Sequence, residues 1–398
     1  MQAGQFETPL GKGYVKSMTA QRLYLDWNAT APVSAGVRDA VAAALKETGN
    51  PSSVHSAGRA AHRRLEDARA AVAGLAGVAP REIVFTAGGT EANNLAIKGA
   101  SCASLIVSAV EHDSVRSPVL GDGRPQWTCP VDEAGRVTLE ALASILKEAP
   151  APALVSLMLA NNETGVIQPV AEAAELVHAQ GGLLHCDAIQ APGRLPLNFR
   201  ELGLDLASLS GHKIGAPQGV GALWIREGIE IAPLLDGGGQ EQRRRAGTEP
   251  LPAIAGFGEA AREALARLDE VPRLAVLRDR METAIREIAP EARIFGAAAE
   301  RLANTSSLAM PGLAAETQVM GLDLEGICIS AGSACSSGKL QASHVLAAMG
   351  VHDEIASCAI RVSLGHSTTE TDIDRFVAAW RKLHERARER TGAARMTA

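Results

Sequence analysis

From Glu82 onward the chain alternates short apolar runs with longer segments in which apolar residues return at helical spacing. Ile83 to Thr86, Leu105 to Ser108, Ala153 to Leu159, Gly182 to Asp187 and the two runs either side of Gly211 to Gln218 predict buried strands, each bounded by Gly, Pro, Asn or Asp. The stretch carrying Val170, Ala173, Ala174 and Val177 on one stripe predicts one of the helices between them. Regular alternation of this kind implies an α/β fold with a mainly parallel sheet and helices on both faces. In such sheets ligands bind beyond the carboxyl ends of the strands.

Upstream, Arg22 to Pro32 reads as a short strand running into an irregular turn, and Ser34 can cap a helix that places Val37, Val41 and Leu45 on one face. Gly49 to Gly58 holds too many turn formers for helix or strand, and a charged helix follows to about Leu75. Downstream, Asp236 to Pro250 is a glycine- and arginine-rich loop that reads as a solvated charge run unable to join a core. Ile254 to Ile288 predicts long helices bridging to a second, smaller domain. Its strands are Leu302 to Met310, Ile327 to Ala331 and Ala359 to Leu364, and its last helix carries Ile373, Phe376, Val377, Trp380 and Leu383 on one face.

Composition narrows the function classes. The 398 residues can bury a large core, and a net charge of -6 points to neither nucleic acid nor an anionic membrane. No apolar run is long enough to span a bilayer. Six cysteines without a C-x-x-C pair suggest no metal site and no disulfide framework, and so a reducing, cytoplasmic setting. Met1 to Ser17 has neither a signal-peptide nor a transit-peptide pattern and reads as an extension ahead of Met18.

Several polar residues fall at strand ends. Lys213 follows the strand ending at Ser210 in a polar, Gly-rich loop; beside the core, partial desolvation disfavours its ammonium form and prepares the amine to attack a carbonyl. A surface-loop lysine is the plain alternative. Ala87-Gly-Gly-Thr90 opens a helix and turns backbone N–H groups outward as an anion site, or forms only a tight turn with a cap. His112 follows the Leu105 strand, Asn162 the Ala153 strand, and Asp187 and Gln190 the Gly182 strand. Six such residues at one edge of a sheet favour a shared site for a charged cofactor. Cys335 lies in a Ser/Gly loop that would leave it accessible, whereas the other cysteines sit mostly in or beside apolar segments. Arg361 is either half of an edge-strand ion pair or a fork for a carboxylate.

Taken in order, Gly-Gly-Thr-Glu-Ala-Asn-Asn94, Asn-Asn-Glu-Thr-Gly165, His-Cys-Asp-Ala-Ile-Gln190, Ser-Gly-His-Lys213, Arg-Ala-Gly-Thr248 and Gly-Ser-Ala-Cys335 resemble the cysteine desulfurases of the class V, fold-type I pyridoxal-phosphate (PLP) family, over Leu23 to Phe376. The resemblance implies a large PLP-binding domain over residues 33–262, with a mainly parallel seven-stranded sheet sandwiched by helices. Residues 1–32 and 263–398 would form a smaller α+β domain carrying the cysteine loop. It implies that Lys213 binds PLP covalently, Asp187 pairs with the ring nitrogen, His112 stacks on the ring and moves protons, and Gln190 donates to the ring oxygen. Thr90, Ser210 and His212 match phosphate-binding positions. Thr248 matches a threonine that reaches the phosphate of a partner subunit, hence a homodimer. Asn162 and Arg361 would hold the carboxylate of L-cysteine. Cys335 would take its sulfur as a persulfide, leave alanine, and pass the sulfur to an acceptor protein such as an iron–sulfur scaffold.

The chain departs from the pattern at Ala331, where many members have serine, at Ile189, where threonine is common, and at the run Arg243 to Arg245. The segment from Ser336 to Leu346 resembles the longer loop of the housekeeping and nitrogen-fixation branch. Three other readings use the same fold: a selenocysteine lyase, an aminotransferase of the class with a dispensable Cys335, and a non-catalytic scaffold.

Overall fold

The computed structural model describes residues 22–332 and 343–396. The chain opens with β1 (Leu23–Tyr24), α1 (Ala35–Leu45) and α2 (Ser56–Ala76). The large sheet is then built from β2 (Ile83–Thr86), β3 (Ser104–Ser108), β4 (Gln126–Cys129), β5 (Ala153–Ser156), β6 (Leu183–Asp187), β7 (Leu206–Ser210) and β8 (Gly221–Ile225). Among them lie α3 (Gly89–Gly99), α4 (Asp113–Leu120), α5 (Leu139–Glu148) and α6 (Val170–Ala179). Two helices, α7 (Leu251–Ala266) and α8 (Val271–Ile288), lead on to β9 (Arg293–Phe295), β10 (Thr305–Ala309), α9 (Ala315–Leu324), β11 (Ile327–Cys328) and β12 (Ser330–Ala331). After residue 343 come α10 (His344–Ala348), α11 (Asp353–Ala356), β13 (Ala359–Ser363) and α12 (Glu370–Met396).

The seven-stranded sheet has the order β2-β8-β7-β6-β5-β3-β4. All its pairings are parallel except those of β8, which runs against both β2 and β7. The carboxyl ends of the other six strands therefore share one edge. β3, β5, β7 and β8 are buried along their whole length because helices cover both faces. One face packs against α2, α5, α6 and α7, where Phe199 and Trp224 meet with ring centroids 5.6 Å apart; α3 and α4 cover the other. The smaller antiparallel sheet has the order β12-β13-β10-β9 and packs on α8 and α12 through Met281, Phe376 and Trp380. No helix among the described residues is long and apolar enough to cross a membrane.

Some boundaries differ from those read in the sequence. Ser56 to Gly58 are helical, because His55 Nδ1 accepts the Gly58 N–H at 3.2 Å and caps α2 one turn early. Ile327 to Ala331 divides, β11 pairing with β1 and β12 with β13. β13 lies between β12 and β10, so Arg361 sits mid-strand rather than on an edge.

The arginine-rich loop is the largest correction. Glu241 is buried, forming two hydrogen bonds with the Arg69 guanidinium of α2 (2.7 and 2.8 Å) and accepting the Phe85 N–H of β2 at 2.8 Å. Arg69 also lies 4.8 Å from the Phe85 ring centroid. Glu241, Gln242 and Arg243 all have positive φ. Left-handed backbone costs about 1–2 kcal/mol per non-Gly residue, whereas stripping one partner from a buried pair costs about 3–5 kcal/mol. Once Arg69 is buried beside Phe85, a turn that withdrew Glu241 would leave that charge unpaired, at a cost comparable to the strain.

Candidate active site

The strand ends surround a cavity of about 310 Å³ that also touches β13 of the smaller sheet. Lys213 enters it from the helical turn Gly211–Ile214 after β7, and its Nζ donates to the carbonyls of Asn28 (2.6 Å) and Ala29 (2.9 Å). Two glycines fix this turn. Gly215 closes it at φ +91°, and a Cβ on Gly211 would come within 2.9 Å of the Ala216 side chain.

Asp187 ends β6 and is buried. Its Oδ2 accepts from Asn93 Nδ2 at 2.8 Å and its Oδ1 from the Ile189 N–H at 3.1 Å. Burial raises its pKa, while His112, these donors and Lys213 pull the other way. Such a carboxylate is poised for one more cation. Gln190, two residues beyond Ala188, is also buried; its Nε2 donates to Asn28 O at 3.1 Å and its Oε1 accepts from Arg194.

His112 caps α4 and lines the cavity, with Nδ1 accepting the Ser114 N–H at 3.1 Å. Thr90 is in the first turn of α3, whose N-terminal N–H groups face the same space, and Ser210 and His212 complete that side. Burial, with Lys213 adding to it, lowers the His212 pKa to about 4 and so keeps the imidazole neutral. At Gly89 a Cβ would lie 2.2 Å from Ile189 Cδ1 and 3.3 Å from Ser210 Cβ, so a side chain there would have to displace Ile189.

Arg361 reaches in from the smaller sheet. Its Nη2 donates to Asp26 Oδ1 (2.8 Å), its Nη1 to the Asn162 carbonyl (3.0 Å), and its buried Nε meets no acceptor. The ion-pair reading and the fork reading of this arginine are therefore compatible. Of the residues singled out in the sequence, Thr248 lies on an exposed stretch outside the cavity lining, and Cys335 lies outside the described residues. All the others border the cavity.

Sequence reasoning missed Asn28. It is buried, and its carbonyl receives Lys213 and Gln190 while its side chain bonds Thr305 Oγ1 at 2.9 Å and Asn304 Nδ2 at 3.1 Å. It thereby ties the two sheets together at the cavity. The only available signal was a pair of polar residues, Asp26 and Asn28, flanking Trp27. Asn93 and Ser114, also missed, join Asp187 to His112.

The chemistry these residues can perform is covalent capture of an aldehyde by an amine, next to a buried carboxylate for a ring cation and an N–H cradle for a phosphate. PLP has those three parts, so the donor set fits it.

Residues 23–376 match the class-V aminotransferase family. A cysteine desulfurase of Cereibacter sphaeroides is 45% identical over 368 residues, covering 90% of this chain and 94% of that protein. The X-ray structure of a NifS-like protein from Rickettsia africae is 36% identical with a TM-score of 0.84, covering 92% of this chain and 100% of that one. A structure of SspA in complex with cysteine is 29% identical with a TM-score of 0.74, over 86% of this chain and 98% of that one.

Proposed function

The chain belongs to the class-V aminotransferase family, and from that premise we propose that it is a PLP-dependent cysteine desulfurase. The observation that carries this reading is the convergence of Lys213, Asp187 and Arg361, from three separate strands or strand ends, on one cavity. Bound here, PLP supplies an aldehyde carbon for the substrate amine and a ring that takes up the electrons freed when the Cα proton leaves.

Each residue then has a task. Lys213 holds the cofactor and Asp187 holds its ring nitrogen as a cation. Gln190 donates to the ring oxygen, and Thr90, Ser210 and His212 hold the phosphate with the N-terminus of α3. Arg361 and Asn162 orient the substrate carboxylate, which brings Cα and the thiol to a fixed place. Lys213 and His112 move the proton. The Cys335 thiolate attacks the substrate sulfur; the Cβ–S bond breaks, its electron pair goes to the carbon, and the enzyme keeps a persulfide while alanine departs. No external oxidant is needed, since the carbon is reduced as the sulfur is oxidised.

Two further parts of the proposal concern partners. Thr248, exposed here, reaches the phosphate site of a second copy in a homodimer, and the persulfide passes to an acceptor protein such as an iron–sulfur scaffold. A reducing cytoplasm suits the persulfide transfer, because the nucleophilic thiol must stay unpaired.

The test is Arg361→Lys, which keeps the charge beside Asp26 and loses the two-pronged grip. The KM for L-cysteine should rise roughly tenfold with a smaller change in kcat, the size expected from one charge-assisted hydrogen bond. Alanine formation that needs an added keto acid, or that runs only on selenocysteine, contradicts the assignment.

A further inference from the structure

Between the residue proposed to hold the ring nitrogen and the histidine proposed to move protons runs one chain of hydrogen bonds. Asn93, buried in α3, donates through Nδ2 to Asp187 Oδ2 and to Ser114 Oγ, both at 2.8 Å. Its two amide hydrogens have two acceptors. Asn93 Oδ1 is buried without a partner, and turning the amide over would aim that oxygen at a carboxylate, so the orientation is fixed by charge. Ser114 Oγ, already accepting from Asn93, lies 2.8 Å from His112 Nδ1 and keeps its own hydrogen for that nitrogen. The Ser114 backbone N–H reaches the same Nδ1 at 3.1 Å. With two donors converging on Nδ1, the neutral ring carries its proton on Nε2.

We propose that Asn93 is a positioning residue of this site, acting through Ser114 to orient the His112 ring and through Asp187 to keep charged the carboxylate that would hold the ring nitrogen. It touches neither substrate nor cofactor in this role. The consequence for the reaction is a division of labour: in this tautomer the neutral His112 ring offers a hydrogen bond from Nε2 and no free base there, which leaves removal of the Cα proton to Lys213. This rests on the PLP reading of the cavity, but the Asn93–Ser114–His112 arm does not need the cofactor to be observed.

The experiment compares the full chain with Asn93→Leu, which keeps the shape and loses both donors, and Ser114→Ala, which cuts only the histidine arm. Ring nitrogen shifts of His112 are read by NMR in the apoprotein, assigned with His112→Gln, and the Kd for PLP is read by titrating the apoprotein with the cofactor. Asn93→Leu should disturb the His112 nitrogen shifts and raise the PLP Kd by about tenfold or more, as expected for losing a hydrogen bond to a charged group. Ser114→Ala should change the His112 shifts and leave the Kd within about twofold, by the same reasoning. Unchanged shifts and Kd in Asn93→Leu overturn the proposal. Should that variant not fold, unchanged His112 shifts in Ser114→Ala overturn it instead. A wild-type protein that binds no PLP would refute the proposed function and leave the hydrogen-bonded arm to be judged on its shifts.

Discussion

Replacing Lys213 with alanine should lower alanine formation from L-cysteine by roughly 10³-fold or more, the scale of losing a positioned acid–base group. The lysine is held at the cavity by a turn whose two glycines have no room or no conformational freedom for side chains, and its Nζ is aimed by the carbonyls of Asn28 and Ala29. No neighbour can replace it. Among the cavity-lining residues it is the only lysine, and the nearby His212 carries no amine that could capture an aldehyde. The variant should still fold, since Lys213 is only half-buried and its turn is set by Gly211 and Gly215. Alanine assays on protein with an unchanged melting temperature check this. Turnover within tenfold of wild type would show that the cofactor is held elsewhere.

Cys335→Ser should have the second large effect, reducing steady-state alanine release by roughly 10³-fold or more, as removal of a nucleophile does. A hydroxyl cannot take up sulfur as a persulfide, so the Cβ–S bond has no acceptor for its sulfur. Binding of L-cysteine should survive, because the proposed carboxylate grip belongs to Arg361 and Asn162. Cys335 itself lies outside the described residues, but Ser330 before it and Ser343 after it bond to neighbours of cavity-lining residues. Ser330 Oγ donates to Asp26 Oδ2 at 2.8 Å, and Asp26 is the partner of Arg361. Ser343 Oγ donates to the buried Glu163, next to Asn162. Ser330 thus shares a hydrogen-bond partner with Arg361, and Ser343 bonds the residue that follows Asn162. Full activity in Cys335→Ser would point to an aminotransferase-like reaction instead.

The large sheet was legible because buried parallel strands are short apolar runs, and because polar or glycine-bearing turns follow their carboxyl ends. That is why Thr90, His112, Asn162, Asp187, Gln190 and Lys213 could be placed on one edge from the sequence. What could not be read were contacts with no local signature. Arg69 and Glu241 are 172 positions apart, and each looks like a solvated charge in its own segment. Asn28 gains its importance only when the opening segment lies between two sheets. Asn93 shared a motif with Thr90, yet its neighbour Asn94 has the same side chain and merely bonds back to the Thr90 carbonyl at 2.9 Å. Helical phase, not residue type, separates the two. The edge-strand alternative for Arg361 failed because strand order is not local: Ile327 to Ala331 reads as one strand, and nothing in it says that Ser330 and Ala331 pair with β13 while Ile327 and Cys328 pair with β1.

A single-turnover reaction of the wild-type enzyme with L-cysteine, without keto acid or sulfur acceptor, bears on the whole scheme. Free amino acid and protein-bound sulfur are counted together, and the modified peptide is located by mass spectrometry. One alanine should appear for each sulfur atom gained, with that sulfur on Cys335. Pyruvate and free sulfide in place of alanine, or alanine with no sulfur left on the protein, would contradict it.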